Sequence, residues 1–483
     1  MSFLLSDAVN SSKVFIERKT NVTGRWDPHY HSPRFARLDS ELDSIKAKSI
    51  RKVAQNIFSG ITPLSGGDAY TELPEGVAFI RSGDFNEDGT INEAALIRLE
   101  PEIHQKLMRR SQLRSRDVLF AIVGATIGKV GIFPGGYEAN INQAVCAVRL
   151  NGEVLPQFLH AFFLTRLGQE QIERVKRPVA RANINLEEIG SLRLPLLDKG
   201  TQRAVVEALS QAFAQKIATE ATASQLLTTI DDVLLDELGI PRDPAPSNTI
   251  ERRIFEFSFA TVTGQRWDPN YAQKIALYLS KLNHSKAPIR KLKDFVSTVQ
   301  YGISERATEE KVGVPMLRML NLQDGEWALE DMKYIEMSEE ERKPYLLQKG
   351  DILFNRTNSK ELVGKCNVFD LQGEYVFASY LMRVSIKKSG LSPHFVVAFM
   401  ASSIGRIQID AVSRQIAGMT NINAEEVREL LIPVPNTKVQ ERVCQRVADI
   451  RAKARALREK ALADLDKAKR KIEALILGKE AGR

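Results

Sequence analysis

The chain has 483 residues, 43% of them hydrophobic and 27% charged, which places it among globular proteins of two to four domains with large cores. No apolar run approaches the ~18 residues that span a membrane, the opening "MSFLLSDAVNSSK" is too short and polar for a secretory signal, and Cys146, Cys366 and Cys444 form no CxxC pair. Those features exclude a disulfide framework and a cysteine-rich zinc site and predict a reducing cytoplasm, while a net charge of +8 and a pI near 9.2 fit a polyanionic partner.

In chain order the first marked stretch is Arg25-Trp26-Asp27-Pro28-His29-Tyr30, which returns as Arg266-Trp267-Asp268-Pro269-Asn270-Tyr271. Asp-Pro-x-Tyr resembles the Asp/Asn-Pro-Pro-Tyr loop of enzymes that methylate exocyclic amines on DNA bases. Such enzymes also need a glycine-rich F-x-G-x-G loop for close approach to the cofactor. None precedes either hexapeptide, and both copies open their repeats, which leaves no room upstream for a cofactor-binding unit. The third position is His29 or Asn270, not proline. We therefore read Trp26, Trp267, Tyr30 and Tyr271 as packing anchors. His29 and His31 could chelate a metal weakly, but Asn270 and Ala272 replace them in the second copy, so exposed or capping roles are expected.

Short β-rich runs follow, "GVAFIR", "DVLFAIVG" and "AVCAVRL", with Gly, Pro and Asn turns between them. "GATIGKVG" has three residues between Gly124 and Gly128, and Val130 after Lys129. A phosphate loop needs four residues there and a Ser or Thr after the lysine, so nucleotide hydrolysis is rejected. "PQFLHAFFLTRLGQEQIERV" reads as helical, with a proline suited to its first turn. The block "NINLEEIGSLRLPLLDKGTQRAV" comes next, and Glu187 and Glu188 open a short helix where carboxylates suit the dipole. A long helix then runs from Asp198, a good N-cap, to Gly239. Its apolar residues Val206, Leu209, Phe213, Ile217, Ala221, Ser224, Leu227, Ile230 and Leu234 recur in a coiled-coil rhythm. "GIPRDPAPSNTIERR" reads as an extended connector.

The second half repeats this order. "LQKGDILFNRTNSKELVGKCNVF" matches "RSRDVLFAIVGATIGKVGIF", so that Asp117 meets Asp351 and Gly128-Lys129 meets Gly364-Lys365. "NINAEEVRELLIPVPNTKVQERV" matches the earlier block at an offset of 238, with Asn183, Ile184, Asn185, Glu187, Glu188, Leu192, Pro195, Gln202 and Val205 all recurring. A near-constant offset over separate blocks identifies a duplication. The second long helix starts after Asn436, where Thr437 and Gln440 could form a capping box, and ends at Gly478. Its seam is Val447, Ile450, Ala454, Leu457, Ala461, Leu465, Ala468, Ile472 and Leu475. Forty residues of helix span ~60 Å, and one apolar stripe on so long a helix needs a partner, most simply its duplicate running antiparallel.

The whole chain resembles the DNA-specificity subunit of Type I restriction–modification systems. The resemblance rests on the duplication, on "NIN…L…LxxPxP…Q" before each long helix, on "GDILFNRTNSKELVGK" and on "RWDPxY". It implies an α+β fold: two pseudo-repeated mixed α/β target recognition domains separated by two long helices that form an antiparallel coiled coil. The expected division is residues 1–197 for the first recognition domain, 198–239 for the first spacer helix, 240–252 for the linker, 253–435 for the second recognition domain and 436–483 for the second spacer helix. The resemblance also implies a non-catalytic subunit that reads a bipartite site on double-stranded DNA. It would dock two modification subunits, which carry S-adenosylmethionine and the adenine methyltransferase chemistry, together with separate restriction subunits. A specificity partner of a related restriction or phage-defence methyltransferase is a variant of that reading. A catalytic DNA methyltransferase would bind cofactor by itself, and a coiled-coil interaction protein would bind no duplex DNA.

Candidate DNA contacts are polar positions that recur in both copies or flank the recurring blocks. Arg81 and Arg318 end matching strands, and Lys129 and Lys365 share the Gly-Lys turn. Asn355, Arg356 and Asn358 follow a strand, on a loop suited to a groove. Arg177 and Arg181, with Arg414 and Gln415 opposite, precede the "NIN" blocks. Residues private to one copy should read bases and shared ones should hold phosphates. No cofactor and no metal are expected on this chain.

Overall fold

The computed structural model describes residues 25–64, 68–177, 182–242, 269–323, 325–387, 390–416 and 418–479. The chain divides into two compact units. One comprises Met1–Glu220 with Arg458–Arg483, the other Ala221–Leu457.

In the first unit, strands Ala54–Ser59, Val145–Leu150, Val118–Ala121 and Val130–Ile132 lie side by side in that order, all antiparallel. A second four-stranded sheet orders Tyr70–Thr71, Ile97–Leu99, Val77–Ile80 and Ala139–Ile141. Val118–Ala121 is buried at every position because it is the third of four strands with cores on both faces. The second unit repeats the first sheet with Val296–Tyr301, Leu381–Ile386, Ile352–Asn355 and Cys366–Val368, and the other with Lys333–Ile335, Val314–Leu317 and Val376–Phe377. The registers agree: Val118 faces Val148 in one copy and Ile352 faces Val384 in the other. The duplication seen in the sequence is thus a duplication of strand order.

The stretch after each sheet, expected as one helix, is two. Pro156–Phe163 and Arg166–Val175 break at Thr165, and Pro393–Ala401 and Ser403–Val412 break at Ser402. Both breaks have one cause. A Cβ on Gly168 would lie 2.4 Å from the Phe163 Cα, and one on Gly405 would lie 2.2 Å from the Phe399 carbonyl oxygen, so glycine lets the second helix fold back on the first. The Thr165 and Ser402 hydroxyls donate to the Phe162 and Phe399 carbonyls at 2.6 Å each. Among the described residues no single helix is long and apolar enough to cross a membrane, and the bent apolar pair at 393–412 supplies core to the second unit.

The long helices run Lys199–Leu238 and Thr437–Ile476. Asp198 Oδ1 accepts from the Gly200 and Thr201 amides, and Asn436 Oδ1 accepts from Val439. Gln440 does not close the expected box with Thr437. Its side chain is spent elsewhere, accepting from the Ser392 amide and donating to the Gly390 and Pro435 carbonyls. Gln202 does the same in the first copy, accepting from Leu155 and donating to Leu197. These recurring glutamines clamp the start of each long helix to the start of the preceding short helix.

Within the first unit, Leu209 and Phe213 share a core with Leu465, Ile472 and Ile476. Within the second, Leu234, Leu235 and Leu238 share one with Val443 and Val447. The start of one helix meets the end of the other, so the pair is antiparallel. The expected seams hold only in part: Ile217 is 54% exposed and Leu475 47% exposed. Lys216 and Ile476 are buried in their place, because a 3.6-residue turn drifts off a fixed heptad rhythm. Lys216 is tolerated there through ion pairs with Glu87 at 3.0 Å and Glu220 at 2.8 Å.

Candidate nucleic-acid interface

Several recurring polar residues prove to be architectural. Asn185 caps the helix Leu186–Ser191, accepting from the Glu188 amide at 2.7 Å, and the Glu188 carboxylate returns to the Asn185 amide at 2.8 Å. Asn423 and Glu426 reproduce this box in the second copy. Each glutamate then takes an arginine: Glu188 binds Arg177 at 3.1 Å and Arg25 at 3.0 Å, and Glu426 binds Arg414 at 3.0 Å. Arg177 and Arg414 are therefore charge-compensated at the "NIN" corner, which leaves them less available to a phosphate. Arg181 lies outside the described residues.

Arg81 and Arg318 also occupy one motif. Their amides donate to the side chain three residues on, Asp84 or Asn321, at 2.8 Å in both copies. Arg81 further pairs with Asp84 at 3.1 Å, and Arg318 with the Asp331 carbonyl at 2.6 Å. Lys129 donates to the Phe85 carbonyl at 3.1 Å, beside the Arg81 turn. Lys365 has no side-chain hydrogen bond or ion pair among the described residues. Gly128 and Gly364 both take positive φ, at 101° and 83°, which explains the shared Gly-Lys turn.

The hexapeptide departs from expectation. Trp26 is 75% exposed, whereas Tyr30 is clamped between Arg25 and Arg174, 5.1 and 4.5 Å from its ring centroid. Tyr271 is buried, and Trp267 lies outside the described residues. His29 and His31 bind the Glu173 and Arg25 carbonyls respectively, each at 2.7 Å. No group of three or more His, Cys, Asp or Glu among the described residues could hold a metal ion.

The second domain gathers its candidates at one place. Asn355 ends the strand Ile352–Asn355 and is 1% exposed, with its Oδ1 covered and without a partner among the described residues. That corrects the expectation of a groove-reaching Asn355: it faces inward. Thr357–Asn358, expected as loop, is a strand pairing with Met419–Asn421, which pairs in turn with Arg414–Ile416. Asn358 and Gln415 both lie opposite Thr420. Asn358 Nδ2 donates to the Met319 Sδ at 3.0 Å, and Thr357 donates to Asn421 Oδ1 at 2.6 Å. Arg356 lies over the Tyr301 ring at 4.7 Å. Around this small sheet Tyr301, Leu320, Tyr380 and Met419 are each more than 40% exposed. The structure thus brings together Arg356, Asn358, Arg414 and Gln415, with Tyr301 and Tyr380 added. Those tyrosines were missed because they do not recur. The one signal for Tyr301 was the glycine after it, Gly302, which matches Gly60 in the first copy.

Charged forks, aromatic rings and a lysine on a turn, unpaired among the described residues, suit a polyanion. The family described as Type I restriction modification DNA specificity domain matches residues 74–229. The EcoKI specificity subunit of Escherichia coli (strain K12) is 22% identical over 73% of this chain and 71% of its own length. The EcoBI specificity subunit of Escherichia coli is 28% identical over 38% of each chain. A chain from a solved type I restriction–modification complex aligns with 89% of this chain and 96% of its own, at 14% identity and a TM-score of 0.47, and the assignment does not rest on it. The matched family and both relatives are described as DNA-specificity components of Type I restriction systems. Over these stretches the chain is similar to the specificity subunits of Type I restriction–modification systems.

Proposed function

We propose that each of the two mixed domains reads one half of a bipartite site on double-stranded DNA, and that the two long helices set the separation of the half-sites. Two modification subunits dock on the chain and supply S-adenosylmethionine and adenine methylation, and restriction subunits join them in the cytoplasm. The carrying observation is the duplicated frame with divergent loop ends. Sheet order, the "NIN" caps and the glutamine clamps recur, while Tyr301, Arg356 and Tyr380 of the second domain stand where the first has Ser59, Ile122 and Ala144. One frame with two surfaces is what reading two different half-sites requires. Arg81, Lys129, Arg177, Arg181, Arg318, Lys365 and Arg414 sit at shared positions and are assigned to phosphates or to framing them. Arg356, Asn358 and Gln415 are assigned to base edges.

The test is reconstitution. Purified chain plus its modification subunit should transfer labelled methyl groups from S-adenosylmethionine to duplex DNA, and the modification subunit alone should not. Transfer by the modification subunit alone, with unchanged sequence preference, would overturn the assignment.

A further inference from the structure

The two domains share a backbone crossing at the end of their central strand. The Ile122 amide donates to the Ala144 carbonyl at 2.9 Å, and the Ile184 amide to the Ile122 carbonyl at 2.9 Å. In the second domain Arg356 donates to Tyr380, and Ile422 to Arg356, each at 3.0 Å. The strand registers give the third correspondence, Ser59 opposite Cys146 and Tyr301 opposite Met382. One frame therefore holds Ser59, Ile122 and Ala144 in the first domain and Tyr301, Arg356 and Tyr380 in the second. Small or apolar side chains are exchanged for two tyrosines and an arginine with no change in the hydrogen bonds beneath them.

The second set is built to hold a guanidinium ready. Tyr301 lies under Arg356 at 4.7 Å, and its hydroxyl is fixed by accepting from the Ala424 amide at 3.0 Å. The Arg356 Nε is covered and has no partner among the described residues. One terminal nitrogen lies 3.4 Å from the Ser379 carbonyl, longer than an ordinary N–H···O bond. The guanidinium makes no other hydrogen bond or ion pair among the described residues. The Tyr301 ring supports the guanidinium from one side while its terminal fork stays nearly unspent. Tyr301 is 42% exposed and Tyr380 45% exposed, so the pair stands at the surface. A planar fork of donors matches the O6 and N7 acceptors of guanine in the major groove, and a stacked guanidinium loses less freedom on binding.

We propose that Arg356, held flat by Tyr301, reads a G·C base pair in the half-site of the second domain, and that the first domain has no equivalent contact because Ile122 occupies that position. This deepens the proposed function and rests on it. Tyr301 is a positioning residue.

The test uses the full chain with its modification subunit in a host, read by single-molecule methylome sequencing. Arg356→Ala should relax one G·C position of one half-site, lowering preference there about ten- to a hundred-fold, with the other half-site unchanged. Arg356→Lys keeps the charge and loses the fork, and should relax the same position. It carries the test if Arg356→Ala does not accumulate. Tyr301→Leu should weaken the same preference, and Tyr301→Phe should retain it. An unrelaxed motif in Arg356→Lys, or an equal loss at all positions that lysine restores, would overturn the inference and make Arg356 a phosphate contact. Deleting the gene separates the two levels. If deletion leaves the methylated motif intact, the proposed function fails. If deletion abolishes it while the Arg356 variants preserve every base, only this inference fails.

Discussion

At the scale of single residues, several side chains that recur in this chain build the frame. Gln202, Gln440, Glu188 and Glu426 were visible in the sequence as matches, but their partners lie on other elements and no local pattern shows them. Gln440 is 3% exposed and satisfies one amide and two carbonyls. Gln440→Leu strands those groups and should lower the unfolding free energy of the full chain by roughly 2–3 kcal/mol, and its denaturation midpoint with it. An unchanged midpoint would show that the clamp is idle. His160 gives a pH prediction. It is buried, its Nε2 has no partner among the described residues, and burial lowers its pKa to about 4. The folded state therefore keeps it neutral while the unfolded chain takes up a proton below the ordinary 6.5. The His160 contribution is fully present above pH ~6.5 and is lost between there and pH ~4, at most about 3 kcal/mol. His160→Gln should flatten the stability–pH curve in that window relative to the wild type, and parallel curves would contradict it. The inward turn of Asn355 and the exposure of Trp26 were not legible. Strand ends and aromatic side chains read alike in sequence whether they face core or solvent.

At the scale of elements, both long helices and their caps could be read from the chain, because apolar spacing and capping residues are local signals. Their seams could not be followed throughout, because the middle of the first helix is small and polar and offers little to fix a phase. Charge helps to pair them. Lys199–Leu238 holds three Lys or Arg against six Asp or Glu, and Thr437–Ile476 holds twelve against six. In the second unit Glu237 meets Arg442 at 2.8 Å and Arg446 at 3.6 Å, and hydrogen bonding from Arg442 holds its carboxyl below the usual range. Opposite net charges disfavour pairing of either helix with its own copy. The apolar contacts carry more energy than these half-exposed ions. Leu234 is fully buried against the second domain, and Leu234→Ala should cost about 2–5 kcal/mol. Hydrogen exchange should then quicken in 225–238 and in Pro269–Leu282, while Pro156–Phe163 keeps its protection. Uniform quickening along the chain would show that the two units are not independently anchored.

At the scale of the whole molecule, the duplication was the most legible feature. An offset of 238 between the "NIN" blocks marks two like domains in the residues themselves, and the shared strand order repeats that likeness in the structure. The bases that each domain is proposed to read stayed hidden. They depend on which loop ends stand free above a common frame, and that is set by contacts distant in sequence, such as Tyr301 beneath Arg356. The central claim is that this chain alone chooses where its system methylates. Single-molecule methylome sequencing of a host carrying the modification subunit, with and without this gene, tests it most directly. The account predicts a bipartite adenine-methylated motif, two half-sites around a fixed spacer, that vanishes when only this gene is deleted. A motif that persists unchanged in the deletion would contradict it.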